Sequence, residues 1–367
     1  MSLCFLFLLL RIKKRTIFMS DSMTNEKYIT RCIEISKKGI SLASPNPSVG
    51  AILVFEDRII GEGFTSLFGG AHAEVNCIKS VFAKDKGLIS KATLYVSLEP
   101  CSHQGKTPPC SLLIIASGIR KVIVGSLDPN PLVAGNGLKM LQEEGISVEY
   151  NILQKECEFA NRRFYTFHQK KRPYIILKWA ETPSGFFAAK DERQFWITNK
   201  QSKQLVHKWR TEEMSILIGK ETARIDNPRL NARLYTGKNP IRIVIDKNLE
   251  LKKDLIIFNQ EIKTIVFNAV KTKTSGLISY VQIDFSKEVE IQILKSLYLQ
   301  GINSVIIEGG AKTLVSFIKT NLWDEARILT GQNELANGIL APNIKGKSIE
   351  CFTLSDNHIN ILINDLN

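Results

Sequence analysis

Long apolar runs are scarce in this 367-residue chain. The most prominent, Leu3 to Leu10, is too short to span a bilayer, which takes about 20 residues. Its flanking charges, Arg11, Lys13, Lys14 and Arg15, follow the apolar stretch, whereas a secretory signal carries its charge in front. Met19 and Met23 stand just before the first regular pattern, so residues 1–22 read as an extra segment ahead of the folded part. A membrane-surface anchor is the other reading of that segment. Without residues 1–20 the net charge of +13 loses four basic and no acidic residues and becomes +9. Aromatics make up 8% and apolar residues 44%, which suits globular domains rather than a membrane protein. No internal repeat or low-complexity tract is present, and the length allows two domains of ordinary size.

Nor is there an arginine-rich block with interleaved aromatics beyond the first 15 residues. The basic charge is interleaved with acids, as in Lys84-Asp85-Lys86 and Asp191-Glu192-Arg193. It therefore speaks for a solvated surface and a few anion contacts rather than for nucleic acid. Cysteines number seven, an odd count scattered at 4, 32, 77, 101, 110, 157 and 351. That distribution excludes a disulfide framework and predicts a reducing, cytoplasmic setting.

What is there is a metal pattern. His72-Ala73-Glu74 is followed by Pro100-Cys101 and Pro109-Cys110. One imidazole and two thiolates can hold zinc and leave the fourth tetrahedral position for water, the arrangement of catalytic sites. Glu74 is then a proton carrier rather than a ligand, as in the zinc nucleobase deaminases. Zinc lowers the pKa of water from about 16 toward roughly 7. A carboxylate within reach can move a proton from the attacking water to a departing amine. The competing reading is a closed four-ligand structural site, with His103 or Cys77 as the fourth ligand.

Along the chain, helical spacing over 24–43 (Tyr28, Cys32, Ile35, Ile40) ends at Ser44-Pro45-Asn46-Pro47. Strands are predicted at Val49–Phe55, Arg58–Gly61, Thr93–Leu98, Lys121–Gly125 and Ile146–Tyr150. Helices are predicted from His72 to about Phe82, from Cys110 to Ser117 and from Leu138 to Glu144. A charged connector over roughly 153–171 ends at Lys170-Lys171-Arg172-Pro173. A second series then begins at Tyr174–Trp179. It continues with a helix at Lys200–Arg210, strands at 214–219, 241–246 and 263–268, and a helix at 287–299. Ser304 to Glu308 closes it as a strand, with Gly309-Gly310 before a helix at Thr313–Lys319. Such alternation predicts an α/β layer fold in each half. Amides at a Gly-Gly turn before a helix can receive phosphate.

These residues resemble a family, the bifunctional riboflavin-biosynthesis deaminase/reductases. The first half carries Pro45-Asn46-Pro47-Ser48-Val49-Gly50, Gly69-Gly70-Ala71-His72-Ala73-Glu74-Val75-Asn76, and Glu99-Pro100-Cys101-Ser102-His103-Gln104-Gly105-Lys106-Thr107-Pro108-Pro109-Cys110. Here eight residues lie between the cysteines, where editing-type deaminases have two. The second half carries Trp196-Ile197-Thr198-Asn199, Val206-His207-Lys208-Trp209-Arg210, Asp226-Asn227-Pro228-Arg229-Leu230-Asn231-Ala232-Arg233, Glu308-Gly309-Gly310-Ala311 and Ala341–Gly346. The matches run over roughly 24–350.

The resemblance implies a cytidine-deaminase-like α/β/α domain at 23–150, a connector at 151–172 and a dihydrofolate-reductase-like α/β domain at 173–367. It implies zinc and NADPH as cofactors, a phosphorylated pyrimidine as substrate, no nucleic acid or membrane partner, and a homo-oligomer, dimer or tetramer. Zinc ligands would be His72, Cys101 and Cys110, with Glu74 as acid/base. Asn46 and Lys106 would contact the deaminase substrate. Ala180, Trp196, Thr222, Asp226 and the turn at Gly310 would meet the reductase cofactor. Arg210, Leu230, Arg233 and Glu308 would meet the phosphorylated substrate. Lys178, Thr198, Asp226 and Glu308 would lie nearest the hydride-transfer centre.

Three positions depart from the family pattern. Thr65 stands where a histidine is usual, Ser184 where an aspartate is usual, and Gln194 where a serine is usual. Thr65 weakens one expected substrate contact but not the metal site, and Ser184 and Gln194 predict rearranged phosphate or sugar contacts. Two other readings compete: a nucleoside- or tRNA-directed zinc deaminase with an accessory domain, and a non-enzymatic scaffold that keeps zinc but not reduction.

Overall fold

A computed structural model describes residues 23–103, 108–131, 133–190 and 195–365. The predictions resting on residues 1–22, on Lys106 and on Gln194 fall outside these residues. The chain divides into two compact units that meet in sequence between His168 and Gln169.

In the first unit, helix α1 (residues 23–36) buries Tyr28, Ile29, Cys32 and Ile35, a stripe at three- and four-residue steps. A 3-10 turn leads into the one-turn helix α2 (Ile40–Ala43). Then come β1 (Gly50–Phe55), β2 (Arg58–Phe64), α3 (Ala73–Ser80), β3 (Thr93–Leu98), α4 (Cys110–Ala116), β4 (Lys121–Ser126), α5 (Asn136–Glu143), β5 (Ser147–Glu149), α6 (Gln154–Ala160) and α7 (Arg162–Lys170). The sheet order is β2-β1-β3-β4-β5. β1 runs antiparallel to β2 and β3, while β3, β4 and β5 are parallel.

Alternation along the strands sorts this core into two layers. Leu53, Leu94, Val96, Val122 and Val124 pack with Cys77 of α3, Ile114 of α4 and Leu141 of α5. Ile52, Val54, Tyr95 and Ile123 pack on the other face with Tyr28, Ile29 and Cys32 of α1 and Cys157 of α6. Strand ends and helix starts thus meet along one edge of the sheet, where the metal motif lies.

The second unit holds β6 (Tyr174–Glu181), β7 (Phe186–Ala189), α8 (Lys200–Glu212), β8 (Ser215–Gly219), α9 (Lys220–Asp226), β9 (Ile241–Ile245), β10 (Thr264–Asn268), β11 (Lys273–Ser275), β12 (Ile278–Gln282), α10 (Val289–Leu299), β13 (Ser304–Ile307), α11 (Ala311–Lys319), β14 (Glu325–Thr330), β15 (Gly338–Leu340), β16 (Lys347–Leu354) and β17 (Asn357–Ile363). Ten strands form one sheet, β11-β12-β10-β9-β8-β13-β6-β14-β17-β16, and β15 pairs with β7. The central strands are parallel, and β17 and β16 add antiparallel strands at one end. Val206 and Trp209 of α8 cover one face with Ile176, Ile216 and Val244. Ile293 and Leu297 of α10 and Leu314 and Phe317 of α11 cover the other with Ile175, Ile243 and Ile307. No described helix is long and apolar enough to cross a membrane.

The local pattern missed β7, α9, β11, β12 and the strands after residue 319. β16 is mostly exposed and α9 is only seven residues long, so neither repeats an apolar pattern for long enough to stand out.

Candidate active sites

The first site is built at two helix starts. His72 is the N-cap of α3, in extended backbone (φ −74°, ψ 168°), so its ring leaves the helix axis while Glu74 sits in the first turn. A carboxylate there is favoured by the helix dipole. Pro109 (φ −56°, ψ 137°) ends the extended approach to α4, and Cys110 opens that helix. Cys101 follows β3 by a short extended stretch. Cys101 is tied to the start of α4: Ser111 N and Oγ donate to Cys101 O at 3.2 and 3.0 Å, and Cys110 N donates to Cys101 Sγ at 3.3 Å. A wide cysteine spacing therefore still yields a compact pair.

His72 Nδ1 lies 3.5 Å from Cys101 Sγ and 3.3 Å from Cys110 Sγ. The ligand atoms of the three residues all lie within 4.8 Å of one another. One ring nitrogen and two sulfurs are the donor set zinc prefers. Cys77, offered as a fourth ligand, instead turns its thiol to Gly61 O at 3.4 Å in the core. His103 is exposed on the pocket wall and is not part of the metal-ligating group.

A pocket of about 290 Å³ opens beside the three ligands, lined among others by Asn46, Thr65, Glu74, Glu99, Asp128 and Asn130. Burial pushes the Glu74 carboxyl up to about 7, helped by the charge of Cys101, and it lies within hydrogen-bond reach of Cys110. Cys101 is drawn down to about 4 by the Cys110 thiol, His72 and the Cys110 amide. Burial likewise raises Asp128 to about 7. Asp128, Asn130 and Phe164 were missed from sequence. The available signal was Asp128-Pro129-Asn130-Pro131 just past β4, polar residues at the carboxyl end of a parallel strand. Thr65 is 6% exposed, and its hydroxyl accepts from Val49 N at 2.9 Å, so it braces the start of β1 from within the pocket wall.

The second site lies in the second unit. Lys178 on β6, Arg210 on α8 and Glu308, just past β13, converge there. Lys178 Nζ is 3.2 Å from Glu308 Oε2. Arg210 donates through Nε to Oε1 at 2.8 Å and through Nη2 to Oε2 at 2.6 Å. Its remaining nitrogen, Nη1, donates to Asn231 O at 3.0 Å, and Asn231 Oδ1 accepts from Arg233 Nη1 at 2.9 Å. Burial works against the Glu308 charge, yet Arg210 and Lys178 hold that carboxyl down to about 2. Burial lowers the Lys178 ammonium despite Glu308. His207, one turn before Arg210, is drawn down to about 4 by burial and then by the two arginines, and its Nδ1 is buried without a hydrogen-bond partner.

Nearby elements place the other residues expected at this site. Gly310 (φ 73°, ψ 117°) is the N-cap of α11. A Cβ on Gly309 would come within 2.8 Å of Thr222 Cγ2, and one on Gly310 within 3.4 Å of Thr222 Oγ1. Thr222 therefore packs against a turn that side chains would fill. Leu230 is buried at φ 48°. Ala180 sits on β6 opposite Leu329, and Thr198 is half-buried. Trp196 is 55% exposed with Lys203 Nζ 3.3 Å from its ring centre. Asp226 is exposed at the end of α9, and no hydrogen bond or ion pair among the described residues joins it to Lys178, Arg210 or Glu308. Thr182 and Gly185 close the turn between β6 and β7, with Phe186 N donating to Thr182 Oγ1 at 3.1 Å, and Ser184 is exposed in that turn.

Comparison with known proteins agrees with the two-domain reading. Residues 22–126 match the cytidine and deoxycytidylate deaminase zinc-binding region, and residues 173–331 match the RibD C-terminal domain. The riboflavin biosynthesis protein RibD of Aquifex aeolicus is 37% identical over 335 residues, 89% of this chain and 92% of that one. The Escherichia coli protein of the same name is 33% identical over 321 residues, 83% of this chain and 86% of that one. A crystal structure from Thermotoga maritima, described as a diaminohydroxyphosphoribosylaminopyrimidine deaminase/5-amino-6-(5-phosphoribosylamino)uracil reductase, superposes with a TM-score of 0.84 at 34% identity. It covers 94% of this chain and 99% of its own. With relatives of this kind matching it nearly end to end, the chain belongs to the RibD family of bifunctional riboflavin-biosynthesis proteins, a zinc-binding deaminase domain followed by a reductase domain.

Proposed function

We propose that this chain carries out two consecutive reactions. The first is hydrolytic deamination of 2,5-diamino-6-ribosylamino-4(3H)-pyrimidinone 5′-phosphate, in which water enters the ring carbon and ammonia leaves. The second is NADPH-dependent reduction of the ribosyl group, giving 5-amino-6-ribitylamino-uracil 5′-phosphate. The observation that carries the reading is the convergence of His72 Nδ1, Cys101 Sγ and Cys110 Sγ beside a pocket whose lining includes His72, Cys101 and Glu74. Zinc, when bound by these three, acidifies water so that a nucleophile is available at neutral pH. Glu74 takes the proton at its carboxylate and delivers it to the departing nitrogen. Its raised pKa suits both transfers. Asn46 lines the same pocket and is positioned to read a pyrimidine edge. Lys106 is assigned to the substrate by family resemblance alone.

For the reductase, the Gly309-Gly310 turn at the start of α11, with Thr222 against it, suits a cofactor pyrophosphate. We assign Ala180, Trp196 and Asp226 to the same cofactor. NADPH, when bound, supplies the hydride to the imine or open-chain carbon of the sugar. Glu308 stays ionised, so it orients rather than donates. The Lys178 ammonium beside it holds the proton needed at the nitrogen or oxygen left behind. Arg210 is engaged by Glu308 and Asn231, which makes the more exposed Arg233 the better reach toward a phosphate. Leu230 and Thr198 complete the substrate side.

We assign the deaminase to residues 23–150, the connector to 151–172 and the reductase to 173–367. We place the chain in the cytoplasm as a homo-oligomer acting on a small molecule. Free cysteines at all six described positions support the reducing compartment. Purified protein given the diaminopyrimidine ribosyl phosphate and NADPH tests the reading. Ammonia release that does not need NADPH, followed by NADPH oxidation, is expected. Ammonia without NADPH oxidation would remove the second step, and no ammonia would remove the first.

A further inference from the structure

Glu99 lies one residue beyond β3 and two before Cys101, and it is 4% exposed. No cation faces it. Four backbone amides surround its carboxylate instead. Oε2 accepts from Asp128 N at 3.2 Å and Gly135 N at 3.0 Å, and Oε1 accepts from Gly137 N at 3.0 Å and Leu138 N at 3.4 Å. The last two belong to the first turn of α5, where amides have no partner within the helix. Between these contacts the chain runs over the pocket wall, to which it contributes Asp128, Asn130 and Val133. The fit is close: a Cβ on Gly137 would lie 2.0 Å from Pro100 O.

We propose that Glu99 is a positioning residue of the deaminase pocket. It clamps the 128–138 segment onto the strand end that carries Cys101, and so sets the distance between the substrate-facing wall and the metal ligands. The physical reason is an anion bound by converging amides: one carboxylate meets four donors whose burial would otherwise leave them unpaired. Glu99 touches no reacting atom. It acts through the backbone of Asp128 and through the start of α5. Loss of the clamp loosens the wall, which weakens substrate binding while the ligand trio stays closed by Ser111 and the Cys110 amide.

The inference rests on the deaminase reading, and its test separates the two. In zinc-loaded full-length protein, Glu99→Gln keeps the shape but turns one acceptor oxygen into a donor facing two amides. Gly137→Ala leaves the carboxylate and displaces α5, and so provides a second route to the same loosening. Amide exchange at Asp128, Gly135, Gly137 and Leu138 is expected to speed up by about tenfold or more, as the protecting bonds are lost. Calorimetry of the diaminopyrimidine ribosyl phosphate in a Glu74→Gln background is expected to show binding about tenfold weaker. With Glu74 intact, KM should rise in proportion, with kcat within about threefold and zinc content unchanged. Unchanged exchange and unchanged affinity in both variants would overturn the proposal. So would loss of zinc with kcat at constant KM, since that marks a scaffold for the metal. If unmodified protein neither binds nor deaminates this substrate, the proposed function fails, while the exchange result still decides whether Glu99 holds the segment.

Discussion

Arg210 grips Glu308 with both arms of its fork, Nε to Oε1 at 2.8 Å and Nη2 to Oε2 at 2.6 Å. Lys178 reaches the same carboxylate, so two cations share one anion in a setting where each side chain is at most 14% exposed. Removing the anion leaves both cations buried without compensation. Glu308→Gln is expected to destabilise the second unit by about 3–5 kcal/mol, the cost of breaking a buried pair from one side. It should also abolish NADPH oxidation while ammonia release persists. Denaturant unfolding and the two activity assays check this.

The same carboxylate sets a pH dependence. Its folded pKa, about 2, lies below the ordinary value of 4.5. The stabilisation is therefore fully present above pH 4.5 and is lost as pH falls from there toward 2. The whole effect amounts to roughly 3 kcal/mol. Unfolding free energy of the second unit measured across this window should fall in the unmodified protein and stay flatter in Glu308→Gln. A parallel fall in both would mean that other carboxylates control acid unfolding.

Glu74→Gln retains size and burial but cannot carry a proton. Ammonia release should drop by at least about 10² to 10⁴-fold, the usual worth of a general acid–base group. Zinc content measured by atomic absorption should not change. Retained deamination in this variant would sink the proton role.

Chelation should separate the two activities. Stripping zinc from His72, Cys101 and Cys110 is expected to stop ammonia release, while reduction of pre-deaminated substrate continues, because the second site contains none of these ligands. Added zinc should restore deamination. Equal loss of both activities would argue that the metal supports the whole chain.

At Gly310 the backbone conformation (φ 73°, ψ 117°) is one that only glycine adopts freely. Gly310→Ala is expected to strain the turn by about 1–3 kcal/mol and to raise KM for NADPH, with deamination unaffected. Steady-state kinetics with varied NADPH test it.

Local chemistry was legible in the sequence because its signals are short-range. His72 and Glu74 lie two residues apart, and the two Pro-Cys steps sit at a strand end and a helix start, so spacing alone named the metal trio. Strands alternating with helices announced an α/β layer fold in each half, and Gly309-Gly310 announced a turn before a helix. Only the tertiary structure could decide which distant groups share a charge or a wall. Arg210 and Glu308 stand 98 residues apart, and nothing near either announces that the arginine fork is engaged by this carboxylate. Asp128, Asn130 and Glu99 join the pocket because parallel strands β3 and β4 end side by side, which is a property of the sheet. The exposed strand β16 and its largely buried partner β17 escaped for the same reason: a strand needs a partner, and the identity of that partner is set by packing rather than by local sequence.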